Sequence, residues 1–199
     1  ATKQLQPVAD YNLLDEVTGL VEWPNVVMGQ IETEFMSLPP EVLVTSMRVH
    51  QKFFALSQKG ATENLAPFFM TVTNRRSDLV NDKLIAAGNE RVLRARLADA
   101  KFFYEQDKQT PLDSLAEKLE VITFYEGLGS VADKAERMAA LAGAIANQLD
   151  AADPDTARRA ALLAKVDLAS EMVGEFPELQ GIMGGYYATA AGEAADVAD

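Results

Sequence analysis

The spacing of the apolar residues changes near residue 105, and this change limits the folds that the chain can adopt. Before it, short runs rich in β-branched and aromatic residues alternate with polar stretches, a pattern typical of strands and hairpins. After it, apolar residues recur at intervals of three and four behind helix-capping motifs, which is typical of amphipathic helices. The sequence therefore predicts an α+β fold, with a mixed domain over residues 1–104 and an all-helical domain over residues 105–199.

Three segments of the first half carry strand signals. The β-branched stretch 21–31 contains Pro24 and predicts an interrupted or edge strand, since proline donates no ladder hydrogen bond. Residues 53–56 and 68–73 predict the strands of a β-hairpin, and the polar residues 57–66 predict a long loop between them.

Three capping motifs begin predicted helices in the second half: Thr110-Pro111-Leu112-Asp113, Ser130-Val131-Ala132-Asp133 and Asp153-Pro154. Gly174 predicts the end of the third helix. Behind the second motif, helical spacing predicts one buried face, made of Val131, Ala135, Met138, Leu141, Ala142, Ile145 and Leu149.

Acidic side chains outnumber basic ones, and the formal net charge is -12. Residues 1–100 hold ten basic and twelve acidic residues, whereas residues 101–199 hold eight and eighteen. This balance argues against a simple nucleic-acid binder. The window 75–101 reverses the sign, with seven basic residues against four acidic ones. A polyanion could therefore bind only through this local region.

A basic stripe runs along the helix predicted over residues 91–104. Arg91, Arg94 and Lys101 fall within an arc of about 80° at roughly 100° per residue. Such a stripe can follow the phosphates of a nucleic acid. It is also typical of a solvated helix face with local ion pairs, such as Glu90 with Arg94, and spacing alone favours that interpretation.

The sequence offers few residues for metal or nucleophilic chemistry. Cysteine is absent and His50 is the only histidine, which excludes a zinc site made of the usual nitrogen and sulfur ligands. His50 is interpreted as a structural residue at the end of a helix, and a His–carboxylate acid–base pair remains an alternative. Gly127 and Gly129 precede a helix but lack the third glycine and the lysine of phosphate loops, so they predict a turn. Residues 181–187 predict a loop with aromatic packing.

Two further expectations concern context. The chain contains neither a run of about 18 apolar residues nor a basic-then-apolar N-terminal signal, so we expect no membrane span. It begins at Ala1 and stops inside an Ala/Asp/Glu stretch that looks helical, so we expect a segment of a longer protein.

Several longer strings carry a family resemblance: LLDEVTGLVEWP (13–24), MRVHQKFF (47–54), GNERVLRARLADAKFF (88–103) and MVGEFPELQGIMG (172–184). In this order, between about Tyr11 and Ala188, they resemble the β subunit of the bacterial two-subunit glycyl-tRNA synthetase. The resemblance implies a cytoplasmic α2β2 ligase with no membrane contact. Its α subunit would use ATP and Mg²⁺ to activate glycine, and its β subunit would bind tRNA(Gly).

For this chain, the resemblance implies a non-catalytic, cofactor-free fragment that contributes to tRNA binding and scaffolding. It raises the expectation that five of the seven cations in the 75–101 window contact tRNA, namely Arg75, Arg76, Arg91, Arg94 and Lys101. An alternative is kept for Arg94 and Arg96, which could instead pair with buried acids.

The helical half resembles the HD domain of that subunit. HD phosphohydrolases hold a metal with a histidine, a His-Asp pair and a further aspartate. Residues 164–168 resemble the His-Asp segment, with Val166 in place of the histidine and Asp167 as a structural residue bonded to nearby backbone. We therefore expect no metal and no hydrolase activity. A metal-dependent HD-type phosphohydrolase and a purely structural spacer are the alternative functions.

Overall fold

The structure, a computed structural model, describes residues 4–149 and 153–199, without the side chains of residues 61–63 and 79. It divides into two compact units, 1–101 and 102–199. The first contains an antiparallel sheet and the second is mostly helical. The predicted α+β fold class is confirmed.

A four-stranded antiparallel sheet forms the first unit, with the strand order β1-β3-β4-β2. Its strands are β1 (Leu5–Pro7), β2 (Pro24–Gln30), β3 (Phe54–Gln58) and β4 (Ala61–Asn74). Its helices are α1 (Tyr11–Leu20), α2 (Pro40–Arg48), a 3-10 helix (Thr33–Ser37) and the first part of α3 (Leu79–Lys108). The strand predicted within 21–31 is confirmed as an edge strand that begins at the proline.

The hairpin predicted from residues 53–56 and 68–73 is confirmed, but its long loop is wrong. β4 already begins at Ala61, so only Lys59 and Gly60 separate the two strands. Gly60 has φ of 89°, a left-handed conformation that glycine adopts without a steric penalty. Register shifts near Ser57 let the polar residues stay within the ladder. Polar composition therefore did not mark the end of a strand here.

One face of the sheet packs on an apolar core. Phe53 and Phe69 stack with ring centroids 4.5 Å apart, and Phe69 is fully buried. Gly29 of β2 lies under the Phe69 ring, where an added Cβ would be 2.2 Å from the ring's Cζ. This close approach explains a glycine within an edge strand.

The second unit contains the end of α3 followed by α4 (Leu112–Lys118), α5 (Val131–Leu149), α6 (Pro154–Leu163), α7 (Glu171–Glu175), α8 (Met183–Ala191) and α9 (Ala195–Ala198). It also contains a short hairpin, β5 (Thr123–Tyr125) and β6 (Gly129–Ser130). The expectation of an all-helical domain is wrong at this hairpin, because Gly127 and Gly129, with φ of 81° and 84°, let the chain turn back on itself. The predicted turn is confirmed.

Two of the three capping predictions are confirmed. Ser130 and Asp133 cap each other: the Ser130 backbone N–H donates to Asp133 Oδ2 at 2.6 Å, and the Asp133 N–H donates to Ser130 Oγ at 3.1 Å. Asp153 caps α6 by accepting from the Thr156 N–H at 2.8 Å. Thr110 does not cap α4, because its hydroxyl donates back to the Gln106 carbonyl at 3.3 Å.

Helix boundaries later in the chain also differ from the predictions. α6 ends at Leu163, and Gly174 lies within the separate helix α7. The loop predicted over 181–187 is a turn only at its start, because α8 begins at Met183. The glycines there suggested a loop, but a helix packed on neighbours tolerates them.

The buried face of α5 agrees with the predicted one at Val131 and Ala135 and differs from it further along the helix. The three largest predicted core residues are 62%, 47% and 66% exposed, namely Leu141, Ile145 and Leu149. Small residues outside the predicted face are buried instead: Ala139, Gly143 and Ala146. α5 packs on α6 through this side. A Cβ added to Gly143 would lie 2.5 Å from Arg158 Nε of α6, so small residues permit this close packing.

Candidate nucleic-acid interface

The basic stripe lies on the side of α3 that faces away from its core. Leu93 and Leu97 are each 1% exposed, whereas Arg91 and Arg94 are exposed and Lys101 is half-buried. The division of this helix into an apolar and a basic side therefore agrees with the sequence.

Acidic residues around the 3-10 helix neutralise two members of the stripe. Arg94 Nε contacts Glu32 Oε1, and Lys101 Nζ lies 2.8 Å from Glu34 Oε2. Glu90, the expected partner of Arg94, accepts a hydrogen bond from the backbone N–H of Gln30 at 2.8 Å. The paired side chains are 36–58% exposed, so each ion pair contributes only about 0–1 kcal/mol. A phosphate could therefore replace either carboxylate at a small cost in free energy.

Arg91 is the member of the stripe that stays available. In residues 4–149 and 153–199 it has neither an ion-pair nor a hydrogen-bond partner. Its guanidinium can therefore bind an anion without first breaking an internal contact.

A second cationic group lies where β4 ends and β2 begins. Arg75 Nη1 is 3.9 Å from Asp82 Oδ1, and the guanidinium carbon of Arg76 lies 5.1 Å from the centre of the Trp23 ring. Asp82 also accepts from Asn25 Nδ2 at 3.0 Å. Arg76 is thus held against an aromatic ring. Because the ring has no formal charge, this contact does not neutralise the positive charge of Arg76.

Trp23 is a site residue that the sequence patterns did not predict. It is the only tryptophan in the chain, it is 55% exposed, and its backbone N–H donates to Asn74 Oδ1 at 2.7 Å. A lone tryptophan directly before the proline that begins a strand was the available signal.

Both cationic groups belong to one β2–α3 pair. Asn25 and Gln30, at opposite ends of β2, bond to Asp82 and Glu90 of α3. The helix therefore runs alongside the strand. This arrangement places Arg75, Arg76 and the basic stripe on the same structural frame of the first unit.

The second unit uses its buried acids for structure. Val166 and Asp167 are each 1% exposed, and the Gly181 backbone N–H donates to Asp167 Oδ2 at 2.6 Å. The expectation that Asp167 bonds to backbone is confirmed. Within the described part of the chain, no group of three or more histidine, aspartate or glutamate residues could hold a metal ion.

Asp107, which sequence reasoning also missed, lies at the end of α3 and is 2% exposed. It accepts hydrogen bonds from the backbone N–H groups of Glu171 and Met172 at 2.9 and 3.0 Å, and from Tyr187 Oη at 2.8 Å. Burial raises the pKa of Tyr187 well above its usual range, and the charge of Asp107 raises it further. All three partners come from segments more than sixty residues away, so no local pattern could reveal this cluster.

The structure also locates two other candidates from the sequence. His50 is exposed in the turn after α2. At the start of α5, the Asp133 carboxylate occupies the place that an anion would take. The Ser130 backbone N–H and hydroxyl donate to this carboxylate and lower the pKa of Asp133.

Comparison with known proteins places this arrangement in a class. The sequence model of the family described as "Glycyl-tRNA synthetase beta subunit" matches residues 1–199. The chain belongs to this family. None of its helices, as far as the structure describes them, could cross a membrane.

Individual relatives agree with the family match. The chain is 50% identical to the glycine–tRNA ligase beta subunit of Coxiella burnetii over 94% of its own length, and 50% identical to that of Azotobacter vinelandii over 100%. It is 51% identical to that of Rhodospirillum centenum over 96%. The chain spans only 27%, 28% and 26% of these relatives, respectively.

Proposed function

We propose that this chain is the part of a glycine–tRNA ligase β subunit that contributes to tRNA(Gly) binding and to scaffolding of the enzyme. The observation that carries this proposal is its identity of about half, over nearly its whole length, with proteins of that name. We assign no catalytic residue to the chain. Glycine activation with ATP and Mg²⁺ takes place on the α subunit of a cytoplasmic α2β2 assembly.

The first unit supplies the tRNA contacts. Arg91 has no partner to give up in the described part of the chain, and Arg76 keeps its charge on the Trp23 face. Arg94 and Lys101 can exchange an exposed carboxylate for a phosphate, and Arg75 has only a long contact, at 3.9 Å, with the half-buried Asp82. Each neutralised phosphate releases condensed counterions, which favours binding at low salt. The excess of acidic residues in the second unit repels a polyanion, which favours binding by the first unit.

A purely structural spacer is the competing function. The pairs Arg94–Glu32 and Lys101–Glu34 favour it, because they show that part of the stripe is used internally.

The two functions differ in how tRNA affinity responds to Arg91→Ala in the α2β2 enzyme with full-length β subunit. If Arg91 contacts a phosphate, its replacement should raise the Kd for tRNA. The slope of log Kd against log salt concentration should then fall by about 0.7–0.9. Lys101→Ala should act in the same direction. Melting temperature should change little, because Arg91 is exposed and the Lys101–Glu34 ion pair contributes at most about 1 kcal/mol. Glycine-dependent ATP–pyrophosphate exchange should not change, since the chemistry lies elsewhere.

Arg137→Ala is the matched control, because Arg137 is an exposed helix arginine of the acidic unit. If tRNA affinity at every salt concentration is the same in the Arg91 and Arg137 variants, the spacer function is correct.

We further propose that the helical unit is not a metal-dependent phosphohydrolase, because the buried Val166 offers no ligand where the His-Asp pair needs a histidine. Stoichiometric zinc, manganese or iron in the purified, tag-free protein would contradict this.

A further inference from the structure

We propose that Trp23 and Arg76 form a stacking site for an unpaired nucleobase of an RNA ligand. The inference rests on the proposed function, since it assumes that the first unit binds RNA. It adds the chemical class of the ligand: a single-stranded segment whose base stacks on the indole and whose phosphate contacts the neighbouring arginines.

The Trp23 ring is presented on a rigid frame. Its backbone N–H is bonded to Asn74 Oδ1, and the next residue, Pro24, pairs with Asn74 in the β2–β4 ladder. Despite this fixed backbone, the residue is 55% exposed. A large aromatic residue with an anchored backbone and more than half of its surface exposed can stack on another ring without a cost of ordering the chain.

Cations surround this surface. Arg76 lies over the indole at 5.1 Å, within the range of a cation–π interaction. Arg75 follows β4 beside it, and its contact with Asp82 is long, at 3.9 Å. A base that stacks on Trp23 would therefore carry its flanking phosphate into positive potential.

The indole and the neighbouring arginines together distinguish unpaired from paired RNA. Paired bases are already stacked on each other inside a helix, so a duplex can use only the arginines. An unpaired base can use the arginines and the indole together, and stacking is tolerant of sequence because every base has a π-face. The geometry thus points to an unpaired segment.

The fluorescence of the chain reports directly on this site, because Trp23 is its only tryptophan. We expect a short oligouridylate to quench the emission of the 199-residue chain, while a blunt-ended RNA duplex leaves it nearly unchanged. In parallel, the anisotropy of the labelled RNAs measures binding itself. Trp23→Ala should weaken oligouridylate binding about five-fold or more, and Trp23→Phe should recover part of the loss.

Tyr11→Ala is the matched control, because Tyr11 is an exposed aromatic residue of the same unit, 76% exposed. It should bind oligouridylate like the unchanged chain. Circular dichroism establishes that each variant is folded.

The outcomes separate the two proposals. RNA binding in anisotropy without quenching overturns the stacking site but leaves the proposed tRNA contact intact. Equal quenching by duplex and oligouridylate overturns the preference for an unpaired base. Absence of binding by either RNA overturns the stacking site and the tRNA contact of this unit together.

Discussion

Replacing Asp107 with alanine tests whether the buried acids of the helical unit are structural. This carboxylate accepts three hydrogen bonds, from the backbone of Glu171 and Met172 in α7 and from the Tyr187 hydroxyl in α8. A single side chain at the end of α3 therefore joins three helices. Its removal should destabilise the protein without affecting any bound ligand.

The expected magnitude follows from the burial of the donors. Glu171 is exposed, so water can satisfy its N–H, whereas Met172 and Tyr187 are 0% and 2% exposed. Each buried donor left unsatisfied costs about 1–3 kcal/mol, which gives about 2–6 kcal/mol for two. Removing the buried charge also removes its desolvation cost, which offsets part of the loss. We expect the free energy of unfolding to fall by about 3–4 kcal/mol.

Urea unfolding followed by far-UV circular dichroism measures this change. Asp155→Ala is the control, because its side chain is 87% exposed and its loss should have little effect. Combining Asp107→Ala with Tyr187→Phe should give a coupling energy of about 1 kcal/mol or more, since the two groups share a hydrogen bond. A loss below about 1 kcal/mol for Asp107→Ala, or strict additivity in the double variant, would refute the reasoning.

Three further predictions test the interior. The pKa of Tyr187 is raised in the folded state, so its neutral hydroxyl contributes to the free energy of unfolding. This contribution is fully present below the ordinary pKa of 10.0 and is lost as the pH rises above it. The loss is at most about 1.4 kcal/mol per pH unit, and urea titrations at alkaline pH should show a shallower decline for Tyr187→Phe. Gly29→Ala should lower stability by about 1–3 kcal/mol through overpacking against Phe69, while Gly88→Ala, with nothing within 4 Å, should not, and thermal melts compare them. Asp167→Ala should cost about 1–3 kcal/mol in urea unfolding by leaving a backbone N–H unpaired, and release of a metal ion on this substitution would contradict its structural role.

Features that depend on neighbours within a few residues could be predicted from the sequence. The Ser130–Asp133 box and the Asp153 cap each form across three residues, so the motif and the interaction coincide. Proline at the start of β2 identified an edge strand for a similarly local reason. The family strings also belong to the sequence alone, and the family match confirmed them.

Partners distant in the sequence could not be predicted. Arg94 lies on the surface, but its partner Glu32 is 62 residues away in the sequence, and Lys101 contacts Glu34 at a separation of 67 residues. Trp23 and Arg76 come together because β2 and β4 pair, and Asp107 meets its donors because α7 and α8 pack beside the end of α3.

Helix α5 shows where the boundary lies. The sequence by itself determined that residues 131–149 form an amphipathic helix, because apolar spacing and a capping box act within one or two turns. It did not determine which residues are buried beyond Val131 and Ala135, because helical spacing fits both the larger side chains and the small residues. Only the tertiary structure decided that the small residues are buried, because close packing with α6 leaves no room for a side chain at Gly143. Leu141, Ile145 and Leu149 are therefore left exposed.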